Sequence, residues 1–342
     1  MSAFEIDYRL VELRLSSPFT ISRGTKETVR NVIVALSSEG ITGYGEAAPN
    51  IRYEEDAETV ISFLKGLEED FFDIPENPDA VAQNIALVRP KVQAAAAALE
   101  MAWLDWWGKS KGEPLWRLWD APSNLSPPTS YTIGIDRLEV IREKVKAAEA
   151  FPILKVKLGT DSDRDIIHAI REVTDRPIRV DANEGWHTID EARKQIAFLQ
   201  EQNVKLIEQP MPSSQKEDLE QLSKWSPLPI FADESFEGDE DLDEIARQFD
   251  GINIKLMKIG SLVKARNVIA QARKRDLQIM VGCMIESSLA ISAASLIGTW
   301  ADYVDLDGNL LIKNDPFCGL TLTARKEVKL SDQPGLGVRP KV

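Results

Sequence analysis

The sequence predicts an α/β protein: a closed parallel barrel preceded by a segment of mixed α+β character. Two observations carry this expectation. Beyond Pro127-Pro128, eight short apolar runs fit for strands alternate with longer amphipathic segments fit for helices, and eight parallel strands close a barrel. A charged residue also recurs at the end of successive strand runs, at intervals of 24, 27, 25 and 22 residues from Lys157 to Lys255. A solvated face would scatter its charges over the helices instead. The first third shows neither pattern.

Taken in order, residues 4–13 alternate apolar and polar as a strand does, and 32–36 and 41–45 flank Ser37-Ser-Glu-Gly as a hairpin. Residues 16–25, Ser-Ser-Pro-Phe-Thr-Ile-Ser-Arg-Gly-Thr, carry turn residues at both ends and predict a loop. A second loop, 49–53, precedes an acidic helix start at Glu54-Glu-Asp. Helical patterns dominate 55–120. In the strongest, 93–109, an alanine run leads into Trp103, Trp106 and Trp107, whose helical spacing assigns them to a core. Pro127-Pro128 reads as a linker. The strand runs that follow are 129–135, 153–159, 178–183, 205–210, 230–235, 251–256, 278–284 and 301–308, with helical segments such as 136–150, 187–202 and 260–275 between them.

Composition narrows the partners. At 342 residues, 43% hydrophobic and 28% charged, the chain has the make-up of a soluble globular protein with room for two units. Its 55 acidic residues against 41 basic ones argue against a nucleic-acid or anionic-membrane partner. The first nine residues carry charges where a signal peptide needs an apolar core, and the most apolar window, 94–104, is broken by Glu100 and too short for a bilayer. Cys283 and Cys318 alone make no disulfide framework. The expected location is the cytoplasm. Only two histidines occur, so acid–base chemistry falls to Lys, Asp or Glu.

The run Ile153-Leu-Lys-Val-Lys-Leu-Gly turns Lys155 and Lys157 to one side of its strand and Leu154, Val156 and Leu158 to the other. Alone, such a pair equally describes an exposed edge guarded by lysine. The other strand ends weigh against that: Asp181 in Val-Asp-Ala-Asn, Glu208 in Ile-Glu-Gln-Pro, Asp233 in Ala-Asp-Glu-Ser, Lys255 in Asn-Ile-Lys-Leu, then Asp305 and Asp307 in Asp-Leu-Asp-Gly. Barrel active sites gather at these C-terminal ends. Three carboxylates from adjacent strands form a hard oxygen site that suits Mg2+, with Mn2+ as the alternative. Asn183, Glu184 and Glu234 compete as ligands or outer partners, although in-strand parity favours Asp181 and Asp233. Lys157 and Lys255 flank the acids. A lysine serves as a base near neutrality when a neighbouring cation such as Lys155 lowers its pKa. Two such bases on opposite faces of a metal-acidified α-carbon give racemisation or epimerisation.

With these stretches in place the chain resembles the enolase superfamily, and within it the muconate-lactonising-enzyme-like group. The resemblance rests on an ordered set: Tyr44-Gly-Glu-Ala, Lys155-Val-Lys, Val180-Asp-Ala-Asn-Glu-Gly-Trp, Ile207-Glu-Gln-Pro, Ala232-Asp-Glu-Ser, Asn253-Ile-Lys-Leu-Met-Lys and Gly282-Cys-Met-Ile-Glu-Ser-Ser. It implies a modified TIM barrel, (β/α)7β, over residues 123–314, under an α+β capping domain of residues 1–122 completed by about 315–342. By the same resemblance Asp181, Glu208 and Asp233 match the ligands of one Mg2+ per subunit, and Lys157 and Lys255 the acid/base lysines. Lys155 matches the lysine that supports its neighbour and the substrate carboxylate; Lys258 lies outside the family's Asn-Ile-Lys unit.

Asp305-Leu-Asp-Gly resembles the Asp-x-Asp motif of dipeptide epimerases, whose carboxylates hold the substrate's α-ammonium; turn capping is the plainer role. Arg23 resembles a capping-loop arginine that faces an acidic side chain in Ala–Glu epimerases, and Arg52, in the second capping loop, could share that role; solvated surface arginines are the alternative. The implied activity is that of a Mg2+-dependent L-Ala-D/L-Glu-type dipeptide epimerase. It would invert the α-carbon of the C-terminal residue by two-base 1,1-proton transfer through a metal-stabilised enediolate, in murein peptide metabolism. An o-succinylbenzoate synthase, an N-acylamino acid racemase or a muconate cycloisomerase shares the lysines and ligands but has no reason to keep two acids on strand eight. A barrel that only binds a metal needs neither lysine. The sequence leaves open the dipeptide and whether the chain forms a homo-oligomer.

Overall fold

The computed structural model describes residues 4–67, 71, 77–88 and 92–341. Three antiparallel strands open it: β1 (Glu5–Ile21), β2 (Gly24–Ser38) and β3 (Ile41–Ala47), in that order across the sheet. Helices α1 (Ala57–Lys65), α2 (Pro78–Val88), α3 (Gln93–Lys111) and α4 (Leu115–Leu118) follow. The long α3 lies directly on β3 because glycine makes room. A Cβ at Gly45 would stand 1.9 Å from the Ala98 carbonyl oxygen, and one at Gly43 2.1 Å from that of Ala102. The alanine run supplies the other half of this backbone-to-backbone fit, with Ala94 to Ala98 fully buried. Trp103 and Trp106 are buried too, as their spacing predicts.

Residues 16–21 and 24–25 are strand rather than the expected loop, with only Ser22-Arg23 as a turn between them. β1 and β2 run on as a hairpin arm in which Phe19 faces Lys26 and Ile21 faces Gly24. A register shift between Arg14 and Phe19 absorbs the Ser16-Ser-Pro stretch that reads as a turn; Pro18 has no N–H for the ladder, so it sits where pairing is broken. The arm leans on the next unit: Ile135 N donates to Thr20 O at 2.9 Å and Ser16 N to Leu311 O at 2.7 Å. Pro127-Pro128 likewise belongs to a strand, β4 (Leu125–Pro128), not to a linker.

The eight expected strands all form: β5 (Tyr131–Ile133), β6 (Leu154–Lys157), β7 (Ile178–Asp181), β8 (Val204–Glu208), β9 (Ile230–Ala232), β10 (Gly251–Lys255), β11 (Gln278–Gly282) and β12 (Tyr303–Asp305). They make one parallel sheet in sequence order, and a parallel bridge from Thr129 to Val304 joins its two edges. Helices α5 (Leu138–Ala147), α6 (Asp163–Arg171), α7 (Ile189–Gln200), α8 (Lys216–Trp225), α9 (Leu242–Gln248), α10 (Leu256–Ile259), α11 (Leu262–Arg273) and α12 (Ser288–Gly298) connect them. The single turn α10 leads straight into α11, so seven crossovers serve eight strands. The eighth strand ends in a 3-10 turn, and the fold is (β/α)7β. Every residue of β6, β7 and β10 is buried, as strands covered on both faces must be.

The tail returns to the first unit. β13 (Phe317–Cys318) pairs with the last strand, β16 (Arg339–Pro340), while β14 (Thr321–Leu322) and β15 (Glu327–Lys329) extend β4 into a small sheet. Leu336 N then donates to Asp105 Oδ1 at 2.8 Å, Leu115 N to Gly335 O at 2.8 Å and Trp116 Nε1 to Ser331 O at 3.0 Å. One apolar cluster runs from Val32 and Ala98 to Val156 and Ile254, so cap and barrel share a core. Among the described residues no helix is long and apolar enough to cross a membrane.

Candidate active site

Parallel pairing sets the site. Lys157 is the register partner of Asp181, and Asp181 of Glu208, so three neighbouring strands end on charge at one level. Asp181, Glu208 and Asp233 each offer a carboxylate oxygen, and these atoms lie within 4.8 Å of one another. All three residues are at most 1% exposed. Buried like charges at that spacing require cations. Lys157 Nζ stands 2.5 Å from Asp181 Oδ2, and Lys255 Nζ 2.5 Å from Asp233 Oδ2. Lys155 Nζ reaches Glu208 at 2.5 Å, Asp305 at 3.0 Å and Asp181 at 3.4 Å. Lys258, discounted from the sequence as a base, meets Asp233 Oδ1 at 2.6 Å.

The strand order places the two candidate bases. β6 is second and β10 sixth of eight strands in a ring, four apart, so Lys157 and Lys255 face each other across the barrel with the acidic strands β7 to β9 between them.

The titrations follow from these neighbours. Burial alone would raise Asp233, but Lys255 and Lys258 hold it well below the usual carboxylate range. Burial is outweighed at Asp181 too, by Lys157 and Lys155. Glu208 goes the other way: burial first, and Asp181 second, push it up to about 8. Burial opposes the charge on Lys155, yet Asp305 and Glu208 carry its pKa well above the ordinary lysine value. Lys255 is raised too, because Asp233 and Glu208 outweigh its burial. At Lys255 the neighbouring cation Lys155 does act downward, but these carboxylates outweigh it. A donor set of three buried carboxylates fits a hard divalent cation.

Above the acids lies a cavity of about 450 Å3, a size that suits a small ligand. Lys155, Lys157, Lys255, Asp305 and Asp307 line its floor, and the hairpin arm and the loop at 50–53 its roof. A wider hollow of about 570 Å3 between α2, α9 and α11 holds none of these lysines.

Residues 139–341 match the family described as Enolase C-terminal domain-like, and residues 5–119 the mandelate racemase / muconate lactonizing enzyme N-terminal domain. This chain belongs to the enolase superfamily, in its mandelate racemase/muconate lactonizing enzyme group. Among its relatives is an L-Ala-D/L-Glu epimerase of Bacteroides thetaiotaomicron, 42% identical over 328 residues, which span 96% of this chain and 85% of that protein. Its fold is similar to that of the substrate-liganded L-Ala-D/L-Glu epimerase of Bacillus subtilis (TM-score 0.91, 28% identity, 99% of both chains). It is equally similar to a dipeptide epimerase of Enterococcus faecalis complexed with Mg and the dipeptide L-Leu-L-Tyr (TM-score 0.90, 30% identity, 98% of this chain and 99% of that one).

In this enolase-superfamily chain the eighth-strand acids differ in their partners. Asp305 meets Lys155, Arg179 at 3.2 Å and the Ser130 hydroxyl. Burial is overcome there, first by Lys155 and then by Arg179, and the carboxyl lies well below its usual range. Asp307 accepts from Thr132 N at 2.6 Å and from the Thr132 side chain, and forms no ion pair among the described residues. Burial, then Asp305, push it up to about 6. Arg23 meets Glu234 at 2.7 Å and Glu184 at 3.5 Å, and Arg52 meets Glu184 at 3.1 Å. Both rim arginines are thus pinned to barrel acids, and those acids lie outside the cluster of three.

Sequence reasoning missed the residues that aim the acids. Asn253 Nδ2 donates to Glu208 Oε1 at 2.7 Å; its place two residues before Lys255 on one strand face was the available signal. Gln209 Oε1 accepts from the backbone N–H groups of Asp233 and Ser235, both at 3.0 Å. Asn183, Glu184 and Gln209 adopt left-handed backbone at φ 46°, 65° and 34°, strain of the kind kept where surrounding contacts dictate it. No pattern in the sequence announces that. Glu46 is fully buried and accepts from Asn31 Nδ2 at 2.8 Å and Ser287 N at 3.0 Å. It ties β3 to the start of α12, linking Tyr-Gly-Glu-Ala to Glu-Ser-Ser physically.

Proposed function

We propose that this chain is a Mg2+-dependent dipeptide epimerase of the L-Ala-D/L-Glu type, with Mn2+ able to substitute. The observation that carries the reading is the opposition of Lys157 and Lys255 across a buried carboxylate triad in one cavity. In this reading Asp181, Glu208 and Asp233 hold the cation, which supplies positive charge beside the substrate carboxylate and so acidifies the adjacent C–H. Lys157 and Lys255 face the two sides of that carbon. One removes the proton and the other returns one to the opposite side, so the configuration inverts. Lys155 steadies the substrate carboxylate. Asp307, with Asp305 beside it, pairs with the α-ammonium of the N-terminal residue, and Arg23 and Arg52 close the outer end of the cavity and favour an acidic side chain.

We assign the cap to residues 1–122 with about 315–342 and the barrel to 123–314. Murein-derived dipeptides in the cytoplasm fit this chemistry, and the two free cysteines suit a reducing compartment. Every candidate residue comes from one chain, so the reading requires no second subunit, though it leaves room for a homo-oligomer.

The test is a mass-spectrometric screen of L,L-dipeptides in D2O with and without Mg2+. Metal-dependent deuterium uptake at the α-carbon of the C-terminal residue is the expected result. Equal reaction of a dipeptide and its N-acetyl form would assign the chain to N-acylamino acid racemisation instead, because acetylation removes the charge that Asp307 pairs with.

A further inference from the structure

Asp163 opens α6, where an acid ordinarily serves the helix's own free N–H groups. Its carboxylate turns the other way. Oδ1 accepts from Thr160 N at 2.8 Å and Thr160 Oγ1 at 3.2 Å, and Oδ2 from Gly159 N at 3.1 Å. A further donor comes from another loop: Trp186 Nε1, at 2.8 Å from Oδ2. Both side chains are buried, and α6 begins at Ser162 without a side-chain cap. One carboxylate thus closes the turn after Lys157 and joins it to the turn after Asp181. The two backbones touch there as well. Gly159 has φ 93°, and a Cβ on Gly185 would stand 2.3 Å from the Gly159 Cα.

We propose that Asp163, tied to Trp186, is a positioning residue that aims Lys157 at the α-carbon. The inference rests on the two-base epimerase reading and names what holds one of its bases in place. Lys157 is the last residue of β6, so the direction of its side chain depends on where the chain turns at Gly159. The loop after β7 has anchors of its own on its far side. Ala182 N donates to Glu208 O at 3.1 Å, Glu184 N to Gln209 O at 2.9 Å and Trp186 N to Pro210 O at 3.1 Å. Asn183 N, at 2.9 Å from Asp181 Oδ1, fixes that carboxylate separately. Cutting the tie between Asp163 and Trp186 therefore loosens the Lys157 side and leaves in place the acidic triad and Lys255, which is four strands away. A displaced base loses rate and not binding, because proton transfer requires near-contact geometry.

The test follows initial α-deuterium uptake from D2O by proton NMR, on L-Ala-L-Glu and L-Ala-D-Glu separately with Mg2+, and Mn2+ affinity by calorimetry. Every group on the Asp163 carboxylate is a donor, so Asp163→Asn sets an NH2 against a donor on one side. Trp186→Phe keeps the ring and removes only its N–H, and it carries the test if Asp163→Asn does not fold. Lys255→Ala identifies the isomer served by Lys157, as the one it still exchanges. On that isomer Asp163→Asn should lose about tenfold in kcat and Trp186→Phe about threefold, with KM unchanged. On the other isomer, and in Mn2+ affinity, both variants should stay within about twofold of wild type, as expected for independent sites. Equal loss on both isomers, a loss of Mn2+ affinity that matches the loss of rate, or no loss in Trp186→Phe overturns the role of Asp163 and leaves the epimerase reading intact. Absence of exchange by wild type on both isomers, or a Lys255→Ala variant that exchanges neither, overturns the two-base reading, and the role of Asp163 falls with it.

Discussion

Asp307 and Asp305 are two residues apart in sequence, yet their carboxyls lie on opposite sides of the usual range, one up at about 6 and one well down. The cause is local. Lys155 and Arg179 sit on Asp305, while Asp307 has only the uncharged Thr132, through its backbone N–H and its side chain, among the described residues. A carboxylate left short of cations is one that awaits a cationic ligand. Asp307 must be ionised to pair with an ammonium, so kcat/KM for a free-amine dipeptide should fall as pH drops through about 6. Its folded pKa is raised, so the stability it contributes is present below the ordinary value of 3.8 and lost as pH rises through about 6. Asp307→Asn should therefore raise the thermal midpoint at pH 8 while damaging turnover; a mutant both inactive and less stable would contradict this account.

The lysines carry a second prediction at the same scale. Replacing Lys157 or Lys255 by Ala should abolish epimerisation, yet each variant should still exchange the α-proton of the isomer that faces its remaining base. Proton NMR in D2O on separate L,L and L,D isomers reads this directly. Loss of exchange from both isomers in both variants, with metal binding and fold intact, would point to a single shared base.

Among the elements, α3 is the most demanding, because it packs backbone to backbone on β3 and carries a carboxyl into the core. Glu100 is fully buried; its Oε1 accepts from Val263 N at 2.9 Å, and its Oε2 has no partner among the described residues. Burial pushes the group up from 4.5 to about 7, against its hydrogen bonds to Ser261 and Val263. The folded state thus holds this proton more tightly than the unfolded chain. Its stabilising effect is complete below pH 4.5 and lost as pH rises to about 7, on the order of 3 kcal/mol in all. Glu100→Gln, which mimics the protonated acid, should remove that slope in denaturant titrations run from pH 4.5 to 8. A parallel decline in mutant and wild type would show that Glu100 is not the group responsible. The hairpin arm is the element least legible in the sequence. Its bulge carries serines and a proline, residues that mark loops by composition, while its strand character comes from leaning on residues 135 and 311, far away in the chain.

For the whole molecule, one apolar cluster spans cap and barrel, and the C-terminal segment is hydrogen-bonded to α3 and α4. Such sharing couples the two units, so unfolding should be a single transition. Trp103, Trp106, Trp107, Trp116 and Trp119 all belong to the cap, so tryptophan fluorescence reports mainly on the cap and far-ultraviolet circular dichroism mainly on the barrel helices. The two melting curves should coincide. A fluorescence change that precedes the loss of helicity would show the cap to be separately stable.

By itself the sequence determined the barrel, its eight strands in order and the charged residue at the end of six of them. Strand alternation and strand-to-helix spacing are local periodicities, and they survive without knowledge of what packs on them. It also placed Lys155, Lys157, Asp181, Glu208, Asp233 and Lys255 at one rim, since residues at equivalent points of successive units must share an end of the barrel. What partners each charge was decided only by tertiary structure. Glu184 and Glu234 stand beside the triad in sequence but turn to Arg52 and Arg23; among the described residues Asp305 is paired with cations while Asp307 is not. Electrostatic pairing depends on distance and burial across segments more than a hundred residues apart, and no periodicity in the chain records either.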